Sequence, residues 1–384
     1  MFSEIRLMIK NIYNFFTIFL KFTQIKIEIL KTYICEKIAI YKKKHIWKQI
    51  KWSFEDECLF NKYWVNILGY KISNKYAKLY QAQSGEFHKE YFPEILYSCK
   101  LEPRLNDYYY SDILSDKGLL EYLCSGVGVV FPQTITLCSG GYFFDNKRNV
   151  ISQFNSNELI KSFLNNNVKC IIKPTRDSSS GKGIIFIYKN DNTFNEKIKK
   201  IYNETNGNYI AQNLIEQHII LNDLNPSSIN TIRIITYIAN DEIHHSPLSL
   251  RIGRKNSNVD NIHAGGLVIG IKENGQLRKY AYELGYGDKI KKYEKHPDSR
   301  IVFSNIYIPY ISEIISKAKL LHGRFLHIGI ISWDFTIGKN NEIILIEANL
   351  KGQSIWFPQI VNQCGLFENN TKAIIQQAYK NSFY

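Results

Sequence analysis

Asp334, Glu347 and Asn349 are the residues whose types and spacing most clearly suggest chemistry. They flank a hairpin-like stretch: Ile331-Ser332-Trp333-Asp334-Phe335-Thr336-Ile337, a turn at Gly338-Lys339-Asn340-Asn341, then Glu342-Ile343-Ile344-Leu345-Ile346-Glu347-Ala348-Asn349. Strand side chains alternate between faces, so Glu347 and Asn349 share one. If the four-residue turn sets the register, Ile337 pairs with Glu342. Asp334 then falls opposite Leu345, on that same face and diagonal to Glu347. Two carboxylates and an amide converge, a hard-oxygen set suited to magnesium that also holds phosphate oxygens. The competing reading is a hairpin with ordinary solvent-facing acids. It is weakened because Glu342 already supplies a charge beside the turn, while Glu347 is embedded among apolar residues.

A second signal is Lys173, at the end of the apolar run Val168-Lys169-Cys170-Ile171-Ile172, followed by Pro174-Thr175-Arg176-Asp177-Ser178-Ser179-Ser180-Gly181-Lys182-Gly183. Small residues let backbone amides approach a phosphate, and Lys173 can reach the same anion. The loop is not a Walker motif, because Gly183 follows Lys182 and a strand follows the loop. The third signal is Arg233, inside Asn230-Thr231-Ile232-Arg233-Ile234-Ile235-Thr236, with Arg251 repeating the pattern in Leu248-Ser249-Leu250-Arg251-Ile252. A guanidinium in a β-branched strand needs an anion to offset its desolvation. Structural ion pairs or a shared substrate anion both satisfy that need.

These residues must be positioned by strands and helices that the pattern predicts in mixed order. Helices are expected at 117–125, 156–165, 308–322 and 371–380. Strands are expected at 126–131, 168–173, 184–188, 209–213, 231–238, 248–252 and 266–271, with a closing hairpin over 327–349. Such an order, without regular βα alternation, argues for an α+β fold. Before it lie a lysine-rich amphipathic helical arm at 1–52 and an aromatic-rich helical N-terminal domain at 53–115. The remainder divides at 116–208 and 209–384.

In chain order, the lysine and glycine loop, Tyr209-Ile210-Ala211-Gln212-Asn213-Leu214-Ile215-Glu216, the Asn-Thr-Ile-Arg strand, Ala264-Gly265-Gly266 and the hairpin resemble the ATP-grasp superfamily from about residue 116 to 379. Asp116-Lys117 and Asn225-Pro226-Ser227-Ser228-Ile229-Asn230-Thr231-Ile232-Arg233 look most like its sugar-transfer-associated members, found in bacterial polysaccharide gene sets. The resemblance implies two α+β subdomains clasping ATP. Lys117 and Lys173 would hold its phosphates, and the loop from Ser178 to Gly183 would form the phosphate lid, with Ser179, Ser180, Gly181, Lys182 and Gly183 on ATP. Gln212, Asn213, Leu214 and Ile215 would meet adenine, with Glu216 next to them on ATP. Asp334, Glu347 and Asn349 would bind magnesium, with Glu347 bridging two ions. Arg233 would steady an acyl phosphate, and Arg251 an acidic substrate. The insertion 218–228 leaves Glu216 and Asp223 both open as the ribose-binding acid.

The implied activity is an ATP-dependent, ADP-forming carboxylate–amine ligase, joining an amine or amino acid to a sugar carboxylate in capsule or other surface polysaccharide synthesis. The alternatives are a phosphotransferase acting on a hydroxyl, or a non-catalytic basic protein binding nucleic acid or a membrane surface. Composition bounds these readings. The chain has 384 residues, 45% apolar and 22% charged, which suits a folded enzyme of two or three domains. Its net charge of +14 is concentrated: residues 1–52 hold eleven Lys or Arg against three Glu. Nucleic acid is therefore not expected as a partner. The arm is read first as packed on its own protein, with contact to an anionic membrane kept open. Seven scattered cysteines argue against a disulfide framework. The apolar N-terminal run ends at Lys21, too short to span a bilayer. A cytoplasmic location follows, with peripheral attachment to the inner membrane face as its extension.

Overall fold

The computed structural model describes residues 23–176, 183–255, 257, 260, 265–284 and 291–380. The chain forms two antiparallel sheets. The smaller contains β1 (Thr134–Ser139), β2 (Tyr142–Asp145), β3 (Val150–Ile151), β4 (Lys169–Pro174), β5 (Ile185–Tyr188) and β6 (Tyr209–Gln212), in the order β3-β2-β1-β6-β4-β5. The larger contains β7 (Thr231–Ala239), β8 (Glu242–His245), β9 (Leu248–Ile252), β10 (Leu267–Ile271), β11 (Leu277–Glu283), β12 (Lys291–Tyr293), β13 (Ile330–Ile337) and β14 (Ile343–Asn349). Its path is β12-β11-β10-β9-β7-β13-β14, and β8 pairs with β7. This is the expected α+β class.

Two expectations about the elements change. The predicted strand at 126–131 reduces to a single bridge between Val130 and Ile344, because Gly126 and Gly128 both take positive φ and turn the chain. Strand β6, expected at the start of the second subdomain, pairs with β1 and β4 inside the smaller sheet. The chain therefore passes between the sheets through residues 213–216.

The larger sheet has two unlike faces. One carries Ile232, Ile234, Leu250, Ile252, Trp333, Phe335 and Leu345 and is covered by the helix Ile311–His322, whose Ile311, Ile314, Ala318 and Leu321 point inward. The other face is apolar at one end only, through Ile235, Tyr237, Val268, Tyr282 and Ile330. That end is covered by the N-terminal helices and the helices Trp356–Asn362 and Thr371–Lys380. The helical region expected at 53–115 thus closes no core of its own. The helix Phe54–Leu68, bounded by a Ser53/Asp56 capping box and by Gly69 in the left-handed region, buries Phe60 and Trp64 into this shared core.

Asn106 fastens the region to the sheet. It is fully buried; its amide donates to Ile330 O (2.8 Å) and Leu350 O (2.7 Å), and its oxygen accepts from Gly329 N and Ile330 N (3.0 Å each). Asn106→Leu would remove all four bonds and strand Ile330 N and Leu350 O, because Gly329 N keeps Leu105 O (2.8 Å) and Ile330 O keeps Gln353 Nε2 (3.0 Å). Its expected cost is about 3 kcal/mol or more, since each unsatisfied buried group costs roughly 1–3 kcal/mol. Urea unfolding measures this, and a loss below about 1 kcal/mol would contradict the role.

Candidate functional site

The polar end of that same sheet face carries the site. Register sets it: Asp334 lies directly opposite Arg233 on β7 and opposite Glu347 on β14, while Arg251 on β9 lies opposite Thr231. The hairpin register differs from the one expected. Ile337 pairs with Ile343, and Gly338 N donates to Glu342 O (2.8 Å), so the loop has slipped by one residue. With that register alone, Asp334 would face Ile346, and Glu347 would point to the opposite face. A β-bulge between Asp334 and Phe335 absorbs Ile346 as an extra residue and returns Glu347 to the side of Asp334.

Asp334 is 1% exposed and held from two sides. Arg233 binds it with Nε on Oδ1 and Nη2 on Oδ2 (2.8 Å for the latter), and Arg251 Nη2 reaches Oδ2 at 3.0 Å. Burial alone would raise the carboxyl's pKa, but the two guanidinium groups outweigh it and hold the pKa below the usual range. The anion that Arg233 requires is thus a carboxylate of the hairpin itself. Arg251 Nε also donates to Thr231 Oγ1 (2.8 Å) and lies 3.4 Å from Asp260, to which Thr231 donates in turn. Thr231 and Asp260 were not singled out from sequence. Only the β-strand period through Arg233 pointed to Thr231, and nothing local marks Asp260.

Across the cleft stand the two lysines. Lys117 opens the helix Lys117–Cys124, whose first turn is capped by Asp116, and its backbone N donates to Thr175 O (2.9 Å). This ties it to the end of β4, the strand that presents Lys173. Lys117 Nζ lies 2.8 Å from Glu347 Oε1 and so bridges the two sheets. Burial, and then the neighbouring Lys117 charge, push Lys173 down to about 8, against the pull of Glu347. Of the phosphate lid, Ser178, Ser179, Ser180, Gly181 and Lys182 lie outside the described residues. Gly183 closes the loop at φ 76°, where a Cβ would stand 2.8 Å from the Pro174 ring.

Gln212 ends β6 and donates to Pro132 O (3.2 Å), leaving its buried Oε1 without a partner. Asn213 N is taken by Gln133 O, so that amide is unavailable to a ligand. Leu214, Ile215 and Glu216 continue along the cleft, where Ile171, Phe186 and Ile346 supply apolar walls. Glu216 is tied to the hairpin tip through its ion pair with Lys339 and through Lys339 N donating to Glu216 O. Of the two acids left open for ribose, Glu216 lines the cleft, whereas Asp223 is exposed and absent from its walls. The whole cleft encloses about 1470 Å³ and joins Lys117, Lys173, Arg233, Arg251, Asp334, Glu347 and Asn349.

The donor set fits a hard divalent cation. Two carboxylates and an amide supply the oxygen donors; Asn349 Nδ2 faces Ser332 O (3.3 Å) and Asp334 Oδ2 (3.5 Å), so its oxygen would join Asp334 on a cation after the amide turns over. Among the described residues no group of three His, Cys, Asp or Glu is placed to hold a metal ion, so the third donor beside Asp334 and Glu347 would have to be the Asn349 amide.

Residues 96–375 match the family described as sugar-transfer associated ATP-grasp, and the chain belongs to it. The chain is also similar to solved structures of ligases at low identity. The D-Ala:D-Ser ligase VanG of Enterococcus faecalis is 15% identical, with a TM-score of 0.42 over 72% of this chain and 63% of that one. D-alanyl-alanine synthetase A of Vibrio cholerae is 12% identical, with a TM-score of 0.43 over 71% and 66%. The chain therefore spans slightly less than two thirds of each. No curated protein matches the sequence.

Lys173 gives the site a measurable pH dependence. Its cationic form, the one that would attract a triphosphate, is complete well below pH 8, half lost at about 8 and lost above it. Phosphate oxygens raise the pKa of the bound form. ATP affinity should accordingly be flat up to about pH 8 and then weaken, by at most about tenfold per pH unit. Calorimetry across that range should find this fall in the wild type and a weaker, flatter profile in Lys173→Ala. An identical profile in both would place the phosphates elsewhere.

Proposed function

We propose that this chain is an ATP-dependent, ADP-forming carboxylate–amine ligase, joining an amine or amino acid to a sugar carboxylate in the synthesis of capsule or another surface polysaccharide. The observation that carries this reading is the convergence of Asp334, Glu347 and Asn349 with Lys117 and Lys173 across one cleft. Asp334, Glu347 and Asn349 would hold magnesium, two ions being accommodated if Glu347 bridges them. Magnesium supplies charge neutralisation to the phosphates when bound.

The chain's own residues then position and neutralise. Lys117 and Lys173 bind phosphate oxygens, and Leu214, Ile215 and the apolar walls receive the base. A substrate carboxylate oxygen attacks the γ-phosphorus and ADP leaves. An amine nitrogen attacks the acyl carbon of the resulting acyl phosphate, phosphate departs and the nitrogen loses a proton. Arg233 and Arg251 spend their forks on Asp334, so they would serve the acyl phosphate and the substrate carboxylate once a bound cation satisfies Asp334 in their place. No nucleophilic side chain is required, so orientation and electrostatics account for the rate.

The test is product analysis with ATP, magnesium, a uronic acid and a panel of amines. Amide formation with one ADP per product is expected, with Glu347→Gln reducing it at least about a hundredfold, the scale of one well-placed group. A stable phosphorylated hydroxyl product would replace the ligase by a phosphotransferase. Retention of ADP formation in Glu347→Gln would remove the metal assignment.

The location proposed is cytoplasmic, with the arm touching the inner face of an anionic membrane. No helix among the described residues is long and apolar enough to cross one. The helix at 23–42 instead carries an exposed apolar stripe, Ile27, Leu30, Ile34, Ile38 and Tyr41. At about 100° per residue, Lys26 and Lys37 flank one side of it and Lys31 and Lys42 the other, the pattern of an interfacial helix. The full chain should float with phosphatidylglycerol vesicles, less so in high salt, and Ile34→Glu/Ile38→Glu should lose that binding. Equal flotation of the variant would discard the membrane contact.

A further inference from the structure

The cleft does not end at the hairpin. Its wall continues past Phe357, whose ring carries the Arg233 guanidinium at 5.5 Å, to Trp356. There it opens into a chamber between the helix at 23–42 and the helix Lys75–Ser84. Glu36, Lys43, Tyr76, Tyr80, Glu94 and Trp356 line the chamber. Tyr76 donates to Glu36 Oε2 at 2.6 Å, and Lys43 Nζ stands 5.6 Å from the centre of the Trp356 ring.

Two polar groups in this wall are left wanting. Tyr80 is 2% exposed and its hydroxyl has no hydrogen-bond partner; the buried Oε2 of Glu94 has none either. Buried polar atoms are nearly always satisfied, and each exception costs about 1–3 kcal/mol. Burial first, then the charges of Glu36 and Glu102, push the Glu94 carboxyl well above the usual carboxylate range. Glu36 and Lys43 balance each other in this wall, which leaves Glu94 as the group a bound cation would ionise.

An anion would be repelled by Glu36 and would hold Glu94 in its neutral form, whereas a cation would draw Glu94 back to the carboxylate. An ammonium group would donate to Glu94 Oε2 and Tyr80 Oη together, and the face of Tyr76 favours a cation as that of Trp356 already does for Lys43. We propose that this chamber is the binding site for the amine co-substrate in its ammonium form, with Glu94 and Tyr80 as direct contacts. The assignment rests on the ligase reading above. It separates the two waiting substrates by charge, with the carboxylate at Arg233 and Arg251 and the ammonium on the far side of Phe357; before attack the nitrogen gives a proton to the Glu94 carboxylate and moves past Phe357 to the acyl carbon.

Ethanolamine, cationic at neutral pH, is a suitable probe, with ethylene glycol as its uncharged counterpart. Calorimetry on the full chain without ATP should show saturable ethanolamine binding and no ethylene glycol binding. Tyr80→Phe should weaken ethanolamine about fivefold and Glu94→Gln at least tenfold, while both variants keep the wild-type ATP dissociation constant. Failure of the wild type to bind ethanolamine, equal binding of ethylene glycol, or unchanged affinity in Tyr80→Phe overturns the proposal. The two readings fail separately. Ammonium binding lost in the variants, with no amide formed by the wild type, upholds the chamber and removes the ligase. Amide formation with an unchanged KM for the amine in Glu94→Gln does the reverse.

Discussion

The buried carboxylate of Asp334, gripped by Arg233 and Arg251, is the constraint around which the site is arranged. A lone ionised carboxylate at this depth would be prohibitively desolvated, and removing one partner of a buried pair costs about 3–5 kcal/mol. The pairing therefore requires three adjacent strands, β9, β7 and β13, to hold fixed register. It also keeps Asp334 ionised, the form a cation needs. The arginines do in the ligand-free protein what a bound cation would do: they satisfy the carboxylate oxygens. Glu347 is satisfied in the same way by Lys117 from the opposite wall.

How far this was legible in the sequence can be argued from the hairpin. The shared face of Asp334, Glu347 and Asn349 was readable, but the register behind it was not. Two one-residue shifts, at the loop and at the Ile346 bulge, add to two, and the strand period of two makes their sum invisible to a face argument. A bulge has no local sequence signature in Ile344-Leu345-Ile346-Glu347, where every residue suits a strand. The partner of Arg233 was hidden for a related reason. Sequence shows that a guanidinium needs an anion, but not that β7 and β13 become neighbours with Asp334 opposite.

The strands that escaped prediction have a common character. β1 and β2 are built from Thr-Ile-Thr-Leu-Cys-Ser and Tyr-Phe-Phe-Asp, and β11 carries Arg278 and Lys279, so none gives a clean apolar alternation. They are specified by their neighbours. Conversely, 126–131 is rich in valine yet forms no strand, because glycine geometry outweighs β propensity. The aromatic N-terminal helices were legible as helices but not as part of the body that carries the cleft. Their apolar faces find no sufficient partner among themselves and complete the half-apolar face of the larger sheet instead.

That sharing has a consequence for the cleft. One sheet face is apolar where helices cover it and charged where they stop, so the boundary between core and site is the edge of the helical layer. The helix at 23–42 forms part of that edge and is used on both sides. Glu36, Ile40 and Lys43 face inward, and Ile40 is buried while Glu36 and Lys43 line the chamber. Ile34, Ile38 and Tyr41 lie about half a turn away and are exposed. A surface engaging the outer stripe would thus rest on the element whose other face walls the cleft. Position along a single helix fixes both relations, since the 3.6-residue period cannot move one face without the other.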